Sequence, residues 1–397
     1  MFSIFAKTFF SPKEKELNIS SEVKLLDIVQ SCVRNMQLLV DTQCIDSSLS
    51  KELSIPVLSE IIGGLVPSSS CVDELCDAVT NIRIIILSDD FSSINNHISN
   101  ECKEELVSLM FKEGLVEILI WNFGIVPLES KKNIVFIFQA CIKWNYANFS
   151  EYFCSNERIL DKLIDNYLIH DVALHCGNLL RDSIRKCCKT VSILFNEAKN
   201  SLWKLFAVCV NDNIQFDIMV DAFNTLREIL TYNDKELVIH FLTNNCDQFN
   251  AYFDALILSQ NYIIRRLSLK LLGELLLDKK NINFTISYVA NKTNLKNVMK
   301  LLIDPSAAIQ FESFHVLKVF IIIPNKAKEI LHILYQNKTK LIQLVESIGM
   351  HKHDNDFLGV SDVHSIEDKR LVLSILESLH ISDDNEDILV VNEQGCI

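Results

Sequence analysis

Hydrophobic residues recur along the second half of the chain at a fixed interval, with helical spacing inside each interval. Four apolar positions are separated by 46, 46 and 45 residues: Val172, Ile218, Ile264 and Ile309. Two further columns keep this register: Cys176, Ala222, Ser268 and Ser313, and then Leu180, Leu226, Leu272 and Leu317. Such a repeat is typical of an α-solenoid, because each helical unit buries its apolar face only by packing on its neighbours. The pattern predicts an all-α curved rod of about six to seven repeats that binds other proteins along its surface.

The repeats are clearest over residues 156–350, and they predict the following helices and loops. One repeat contains the predicted helices Asn213–Thr231, Lys235–Thr243 and Asp247–Leu258, and a weaker earlier match covers Lys131–Trp144. Towards the N-terminus, Ser11-Pro12 resembles a helix start, and helical periodicity covers Val23–Val40 and Val57–Leu65. Polar residues predict loops over Val66–Asp73 and Ser88–Asn100, and Asp304-Pro305 predicts a second capped helix start. Together these elements form one predicted helical-repeat domain over residues 1–350.

Beyond residue 350 the pattern changes character. Residues 351–380 are predicted to form a polar loop, His351–Ser365, followed by one helix, Ile366–Leu379. Residues 381–397 carry five acidic side chains and no Lys or Arg. Such a composition predicts a disordered acidic tail, because too few apolar side chains are available to offset the entropy of ordering.

Composition supports the helical prediction and limits the partners. Hydrophobic residues make up 49% of the chain, with only 9 Gly and 6 Pro to interrupt helices. The formal net charge of −13 predicts no general affinity for nucleic acid or anionic membrane. The 13 cysteines include no Cys-x-x-Cys pair and predict reduced thiols. With no apolar run of about 20 residues, the sequence predicts a cytoplasmic protein that is monomeric alone.

No constellation of catalytic or cofactor-binding residues is evident in the sequence. The glycine-rich phosphate loops, the Gly-x-Ser-x-Gly turn and the His-Glu-x-x-His helix are all missing. A possible calcium loop starts at Asp354, but Leu358 and Ser365 occupy positions where oxygen ligands matter most. The sequence therefore predicts a protein that is not an enzyme and that needs no metal or cofactor.

Residues on one face of a recurring helix form the first candidate binding surface. Tyr262, Arg266 and Lys270 share a face at spacings of four residues, and Phe216 is the equivalent of Tyr262 one repeat earlier. Stacked repeats are expected to bring Phe216 and Tyr262 side by side, with Arg266 next to them. Aromatic rings with an arginine have the composition of a protein-binding hot spot. The alternative is that both rings belong to the core.

Two further segments offer candidate contacts. Lys279, Lys280 and Phe284 follow the recurring helix, where lysines also suit the helix dipole as an ordinary solvated end. Residues 294–302 carry Lys296 and Met299 among apolar residues. Methionine lines adaptable hydrophobic grooves, and it also fills cores, so both interpretations stay open.

Long stretches of the second half resemble a known family. They are Arg265–Asp278, with the sequence RRLSLKLLGELLLD, Ile309–Lys326, Ala173–Arg181, and Phe216–Ile218 with Asp221–Phe223. They are similar to the calcium-binding protein 39 family, the armadillo-like scaffolds of kinase complexes, over roughly residues 155–345. The resemblance implies an armadillo-like fold and gives no reason to expect calcium.

The resemblance also implies a function and a set of contact residues. It implies a non-catalytic adaptor whose concave face binds and activates a sterile-twenty-type kinase or pseudokinase through Phe216, Tyr262 and Arg266. Lys279 and Phe284 match a further contact, and Lys296 and Met299 match a pocket for a Trp-Glu-Phe tail of the partner. In some lineages the partners are nuclear-Dbf-two-related kinases that control morphogenesis. A generic armadillo adaptor for other cargo is a further alternative, but these columns lack its repeated Asn and Trp.

Overall fold

The computed structural model describes residues 22–49, 69–88, 98–196, 200–348, 362–381 and 388–390. Almost all of these residues are helical, so the predicted all-α helical-repeat class is confirmed. The chain divides into two compact units, Met1–Cys187 and Cys188–Ile397. Each unit is built from its own succession of packed helices.

The first unit contains one long core beneath eight described helices. They are α1 Glu22–Leu49, α2 Ser69–Leu87, α3 Asn100–Lys112, α4 Leu115–Trp121, α5 Leu128–Trp144, α6 Phe149–Ser155, α7 Glu157–Asp165 and α8 His170–Lys186. Short 3-10 turns cover Phe123–Ile125, Tyr146–Asn148 and Asn166–Leu168. Local sequence sets the boundaries: the Asn156 side chain caps α7, and Asn145 ends α5 with a left-handed φ of 58° that asparagine tolerates. Helix α1 packs on α2, α2 on α5, and α5 on α8.

The second unit contains the clearest repeats. Its described helices are α9 Cys188–Leu194, α10 Ser201–Val210, α11 Phe216–Leu230, α12 Lys235–Asn244, α13 Cys246–Ile257, α14 Tyr262–Leu277, α15 Ile282–Ala290, α16 Lys292–Leu301, α17 Ala307–Ile322, α18 Lys328–Gln336, α19 Lys338–Ser347 and α20 Asp362–Glu377. A 3-10 turn covers Lys279–Asn281, and two strands, β1 Leu379–Ile381 and β2 Ile388–Val390, pair antiparallel. The long helices pack in sequence, α11 on α14, α14 on α17, and α17 on α20.

The repeat columns lie in the interior, as predicted. Every member of the leucine column is buried, and so is every member of the small-residue column at Cys176, Ala222, Ser268 and Ser313. Within the small-residue column, Ser313 donates its hydroxyl to the Ile309 carbonyl four residues earlier, which satisfies a polar group inside the core. Small side chains in this column let neighbouring long helices approach closely.

Two local predictions near helix starts are wrong. The loop predicted over Val66–Asp73 is already helix from Ser69, because Cys71 and Leu75 are buried in the core that also contains α1 residues. Asp304 does not cap α17, which begins at Ala307 after Ser306. The Asp304 carboxylate instead accepts the backbone N–H of Ser306 in a turn before the helix, at 2.9 Å.

The C-terminal segment also differs from the prediction. Helix α20 begins at Asp362, inside the predicted loop His351–Ser365, and ends before the hairpin that starts at Leu379. Within the tail predicted to be disordered, Ile388–Val390 forms β2 and lies beside α18. These three apolar residues pair with β1. The average composition of the acidic tail does not reveal such a short apolar segment.

Several predictions concern residues outside the described ranges. They are the helix start at Ser11-Pro12, the helix Val57–Leu65, the calcium loop at Asp354 and the segment boundary at residue 350. All of these stay predictions.

Candidate functional site

Two aromatic side chains begin neighbouring helices and are open to solvent. Phe216 is the first residue of α11 and is 52% exposed, and Tyr262 is the first residue of α14 and is 37% exposed. The two helices pack on each other, and their C-terminal parts are joined by an ion pair between Arg227 and Glu274. The N-terminal ends therefore lie on the same side of the pair. The alternative that both rings belong to the core is wrong.

Helix α14 is held firmly at its first turn. The Asn261 side chain accepts the backbone N–H groups of Ile263 and Ile264, at 3.0 and 3.3 Å, as a helix N-cap. The Arg265 guanidinium lies 3.5 Å from the Asp304 carboxylate at the approach to α17, and both side chains are largely buried. Because these contacts fix both the helix start and its neighbour, Tyr262 projects from a rigid base.

Arg266 lies one helical turn after Tyr262 and is half-buried between α14 and α17. Burial raises the pKa of Glu312 on α17, while the positive charges of Arg266 and Lys270 oppose that shift. Arg266 is therefore close enough to Glu312 to stabilise its carboxylate. We name Phe216, Tyr262 and Arg266 the helix-start surface, which combines two exposed rings with a positioned cation.

The further contact predicted at Lys279 and Phe284 is wrong for Phe284. Lys279 is exposed in the 3-10 turn after α14, as the contact requires. The Phe284 ring, however, is only 1% exposed, with its centroid 5.2 Å from that of Phe249 and 6.0 Å from that of Tyr288. The first turn of α15 points this ring into the second unit's core, so it cannot touch a partner.

Lys296 and Met299 line one groove between α16 and α18, with a volume of about 1140 Å³. We name it the lysine groove, because its walls carry Lys292, Lys296, Lys300, Lys326 and Lys328. Its apolar lining comes from Met299, Ile303, Leu331 and Ile333. The one acidic side chain lining it, Glu329, lies 2.9 Å from the Lys292 ammonium. Met299 is half-buried on the groove wall, so it is not simply core filler.

The groove's charge makes it suited to an acidic ligand with apolar side chains. Five lysines line the groove against one glutamate, and Lys326 is partly withdrawn from water. Burial lowers the pKa of Lys326, whose ammonium donates to the Ile323 carbonyl at 2.6 Å. Burial removes part of the hydration of the Lys326 ammonium. A carboxylate entering the groove would offset that loss by pairing with the charged lysine.

Sequence reasoning found only one of the groove's five lysines. Lys292, Lys296 and Lys300 follow one another at four-residue intervals on α16, a signal that could have identified the stripe. Lys326 and Lys328 come from the next repeat, and no local pattern joins them to α16. Their approach depends on how α18 packs against α16.

The described part of the chain contains neither a metal site nor a membrane span. No group of three or more His, Cys, Asp and Glu side chains there could hold a metal ion. Among the same residues, no helix combines the length and the apolar character needed to span a bilayer.

Repeated helical units with exposed helix faces define the α-solenoid class, whose members bind other proteins along extended surfaces. Residues 66–380 match the model of the Mo25-like family. The chain is 33% identical over 314 residues to the "Degreening-related gene dee76 protein" of Auxenochlorella protothecoides, covering 78% of this chain and 92% of that protein. It is 36% identical over 259 residues to human "Calcium-binding protein 39-like", covering 64% of this chain and 75% of that protein. It is 33% identical over 252 residues to the "Mo25-like protein" of Schizosaccharomyces pombe, covering 62% and 75%.

The chain belongs to the Mo25-like family, a family of kinase-associated scaffold proteins. The family resemblance noted in the sequence is thereby confirmed. The match to the family model includes the helix-start surface and the lysine groove within its span.

Proposed function

We propose that this protein is a non-catalytic cytoplasmic scaffold that binds a sterile-twenty-type kinase or pseudokinase and stabilises its active form, supporting kinase signalling in cell polarity. The helix-start surface contacts the kinase domain, together with Lys279. The lysine groove holds a tail of the same partner. The observation that carries this proposal is that Phe216 and Tyr262 are both exposed at the starts of packed, repeat-equivalent helices.

The activating step is a shift of population between kinase conformations. A scaffold favours the active form only by as much as it binds that form more tightly than the inactive form. Exposed aromatic rings and a positioned arginine make contacts that depend on the shape of the partner's surface, so they can differ between the two kinase conformations. A tenfold preference for the active form corresponds to about 1.4 kcal/mol of differential binding.

The lysine groove serves as the anchor. A tail of the Trp-Glu-Phe type pairs its carboxylate with the lysines and places its rings against Met299 and the other apolar lining residues. Burial of two aromatic side chains contributes about 3–6 kcal/mol before ordering costs. Anchoring one end of the partner raises the effective concentration of its kinase domain at the helix-start surface.

Affinity purification tests the proposal directly. The tagged full-length protein is purified from its own cells, and co-purifying kinases are identified by mass spectrometry. A sterile-twenty-type kinase is the expected partner. Recovery of a nuclear-Dbf-two-related kinase without it favours the morphogenesis alternative, and recovery of other cargo with no kinase favours a generic adaptor.

Substitutions then assign the contacts. Arg266→Ala and Met299→Ala are each expected to weaken capture of the partner, while Lys340→Ala, an exposed change on α19, serves as the matched control. Circular dichroism verifies that helicity is retained in all three variants. Full binding by both Arg266→Ala and Met299→Ala would contradict the assignment of the two sites.

A further inference from the structure

Helix α18 forms one wall of the lysine groove. Its equivalent two repeats earlier in the chain is helix α12. Equivalent positions in α12 and α18 are 92 residues apart, so His240 corresponds to His332 and Asn244 to Gln336. In both helices the amide side chain lies within hydrogen-bond distance of the imidazole one turn earlier, at 3.1 Å for Asn244 and 2.7 Å for Gln336. The two helices therefore present the same polar arrangement on the same face.

The end of each helix is equivalent as well. Asn245 follows α12, and Asn337 follows α18. Each asparagine donates its side-chain amide to the carbonyl four residues earlier, Phe241 at 3.1 Å and Ile333 at 2.8 Å. This correspondence extends the repeat beyond the buried columns to the surface of the molecule.

Helix α12 also lines a groove, with a volume of about 440 Å³. We name it the amide groove, and its lining residues are Ser192, Phe195, Asn196, Leu237, His240, Phe241, Asn244 and Asn245. The rings of Phe195 and Phe241 stack with centroids 4.5 Å apart and planes inclined by 11°. Polar side chains, among them three asparagines, make up most of the lining, beside Phe195, Leu237 and Phe241.

The two grooves differ in charge, and this difference identifies what each can bind. The lysine groove carries five lysines and one glutamate among its lining residues, whereas none of the residues lining the amide groove is Lys, Arg, Asp or Glu. A carboxylate would gain no ion pair in the amide groove. Asparagine side chains both donate and accept, so they can pair with the backbone of an extended, uncharged peptide while the half-buried Phe195 ring contacts an apolar side chain.

The surface between the grooves is apolar and exposed. Helix α15 lies between α12 and α18 in the repeat order and packs on α12. Ile286 on α15 is 46 residues from both His240 and His332, and it is 52% exposed. Ile282, one turn earlier, is also exposed. A peptide that leaves one groove thus meets apolar surface at the intervening equivalent position.

We propose that the amide groove binds an uncharged stretch of the same partner segment whose acidic end occupies the lysine groove, with one aromatic side chain of that stretch placed against the half-buried ring of Phe195, which stacks on the buried Phe241. This inference rests on the proposed role of the lysine groove. Helix α15 packs on α12, and packed helices lie about 8–10 Å apart, so two equal repeat steps from α12 to α18 span about 20 Å. An extended chain advances about 3.3 Å per residue, so about six residues separate the two bound parts.

Three fluorescein-labelled synthetic peptides test this proposal by fluorescence anisotropy with the full-length protein. All of them end in Trp-Glu-Phe after a neutral Gly-Ser stretch. The first has no further aromatic residue, the second has a Phe separated from the Trp by six Gly-Ser residues, and the third has the same Phe separated by two. The second peptide is expected to bind about tenfold more tightly than the other two, because only its Phe can reach the amide groove.

Two variants test whether the tighter binding of the second peptide arises in the amide groove. Asn244→Ala removes an exposed amide from the groove, and Leu237→Asp places a carboxylate on its half-buried wall. Both are expected to remove most of the gain of the second peptide while leaving binding of the first unchanged, and Lys340→Ala is expected to change neither. Thermal unfolding verifies that each variant is folded.

The outcomes separate this inference from the proposed function. If the first peptide binds and the second binds no more tightly, the amide groove is not part of the site and the proposed anchor stands. A gain that persists in both Asn244→Ala and Leu237→Asp, or that appears only with dimer formation in sedimentation, also overturns the inference. If no peptide binds, the anchoring role of the lysine groove fails and the inference fails with it.

Discussion

Arg227 on α11 forms a bifurcated ion pair with Glu274 on α14. One guanidinium nitrogen lies 3.0 and 3.1 Å from the two carboxylate oxygens. The two residues come from successive repeats and lie in the C-terminal parts of helices that pack on each other. Both side chains are partly exposed, so the pair marks the register that the buried columns of the two helices impose. The same packing places Phe216 and Tyr262, the surface proposed to contact a kinase, at the opposite ends of these helices.

Phe216 and Phe284 are expected to respond to alanine substitution in opposite ways. Phe284→Ala removes a buried ring from a cluster with Phe249 and Tyr288, so it should lower the free energy of unfolding by about 3–5 kcal/mol. Phe216→Ala removes a half-exposed ring and should change that free energy by less than about 1 kcal/mol while weakening partner capture. Urea unfolding and pull-down measure the two effects. Equal stability loss in both variants would contradict the burial of Phe284 and the exposure of Phe216.

Asp254 is expected to give the protein a measurable dependence of stability on pH. Burial raises the pKa of this carboxyl on α13, and the hydrogen bond from Asn297 only partly opposes the shift. Because the folded state holds the proton more tightly than the unfolded state, this group lowers stability as pH rises through the interval between its unfolded pKa, about 4, and its raised folded pKa.

Asp254→Asn should therefore raise the urea midpoint at pH 7 and reduce the decline in stability as the pH rises above about 4, since asparagine retains an acceptor for Asn297. Asp247→Asn, an exposed change on the same helix, is the matched control. The same pH slope in Asp254→Asn as in the natural protein would show that this carboxyl is not the cause.

One ion pair is expected to contribute measurably to the attachment of helix α20, beside the buried Val372 and Leu376. The buried ammonium of Lys318 on α17 contacts the partly exposed carboxylate of Asp368 on α20. Asp368→Ala leaves the lysine without this partner and should lower the free energy of unfolding by about 1–3 kcal/mol, less than for a fully buried pair. The neutral pair Lys318→Met with Asp368→Leu should recover most of that loss. Hydrogen exchange within α20 should accelerate in Asp368→Ala and not in Glu377→Ala, an exposed change of the same charge on the same helix.

The lysine groove is expected to bind acidic peptides in a salt-dependent manner. Lys296→Glu reverses one charge on its wall and should weaken binding of a labelled Trp-Glu-Phe peptide by about tenfold at low ionic strength. At 0.5 M salt the same substitution should have a smaller effect, because screening shortens the reach of each charge. The control is Lys340→Glu on α19, which changes the net charge by the same amount at a position that does not line the groove. An equal effect of both substitutions would indicate a general charge effect.

The sequence and the tertiary structure contribute differently to the candidate sites. The spacing of Phe216 and Tyr262 predicted their equivalence, and repeat arithmetic alone placed them at the same turn of successive helices. The same arithmetic could not tell Phe284 from a surface residue. Which way the first turn of α15 faces depends on its packing against Phe249, and no local pattern encodes that orientation.

By itself, the sequence determined the helical-repeat class, the buried columns and the family, because periodic burial of apolar side chains is a local and repeated requirement. Only the tertiary structure decided that Lys326 and Lys328 join the α16 lysines in one groove, that Ile388–Val390 pairs as a strand, and that Phe284 is core. Each of these depends on contacts between segments far apart in the chain, where the packing of whole helices outweighs local preference.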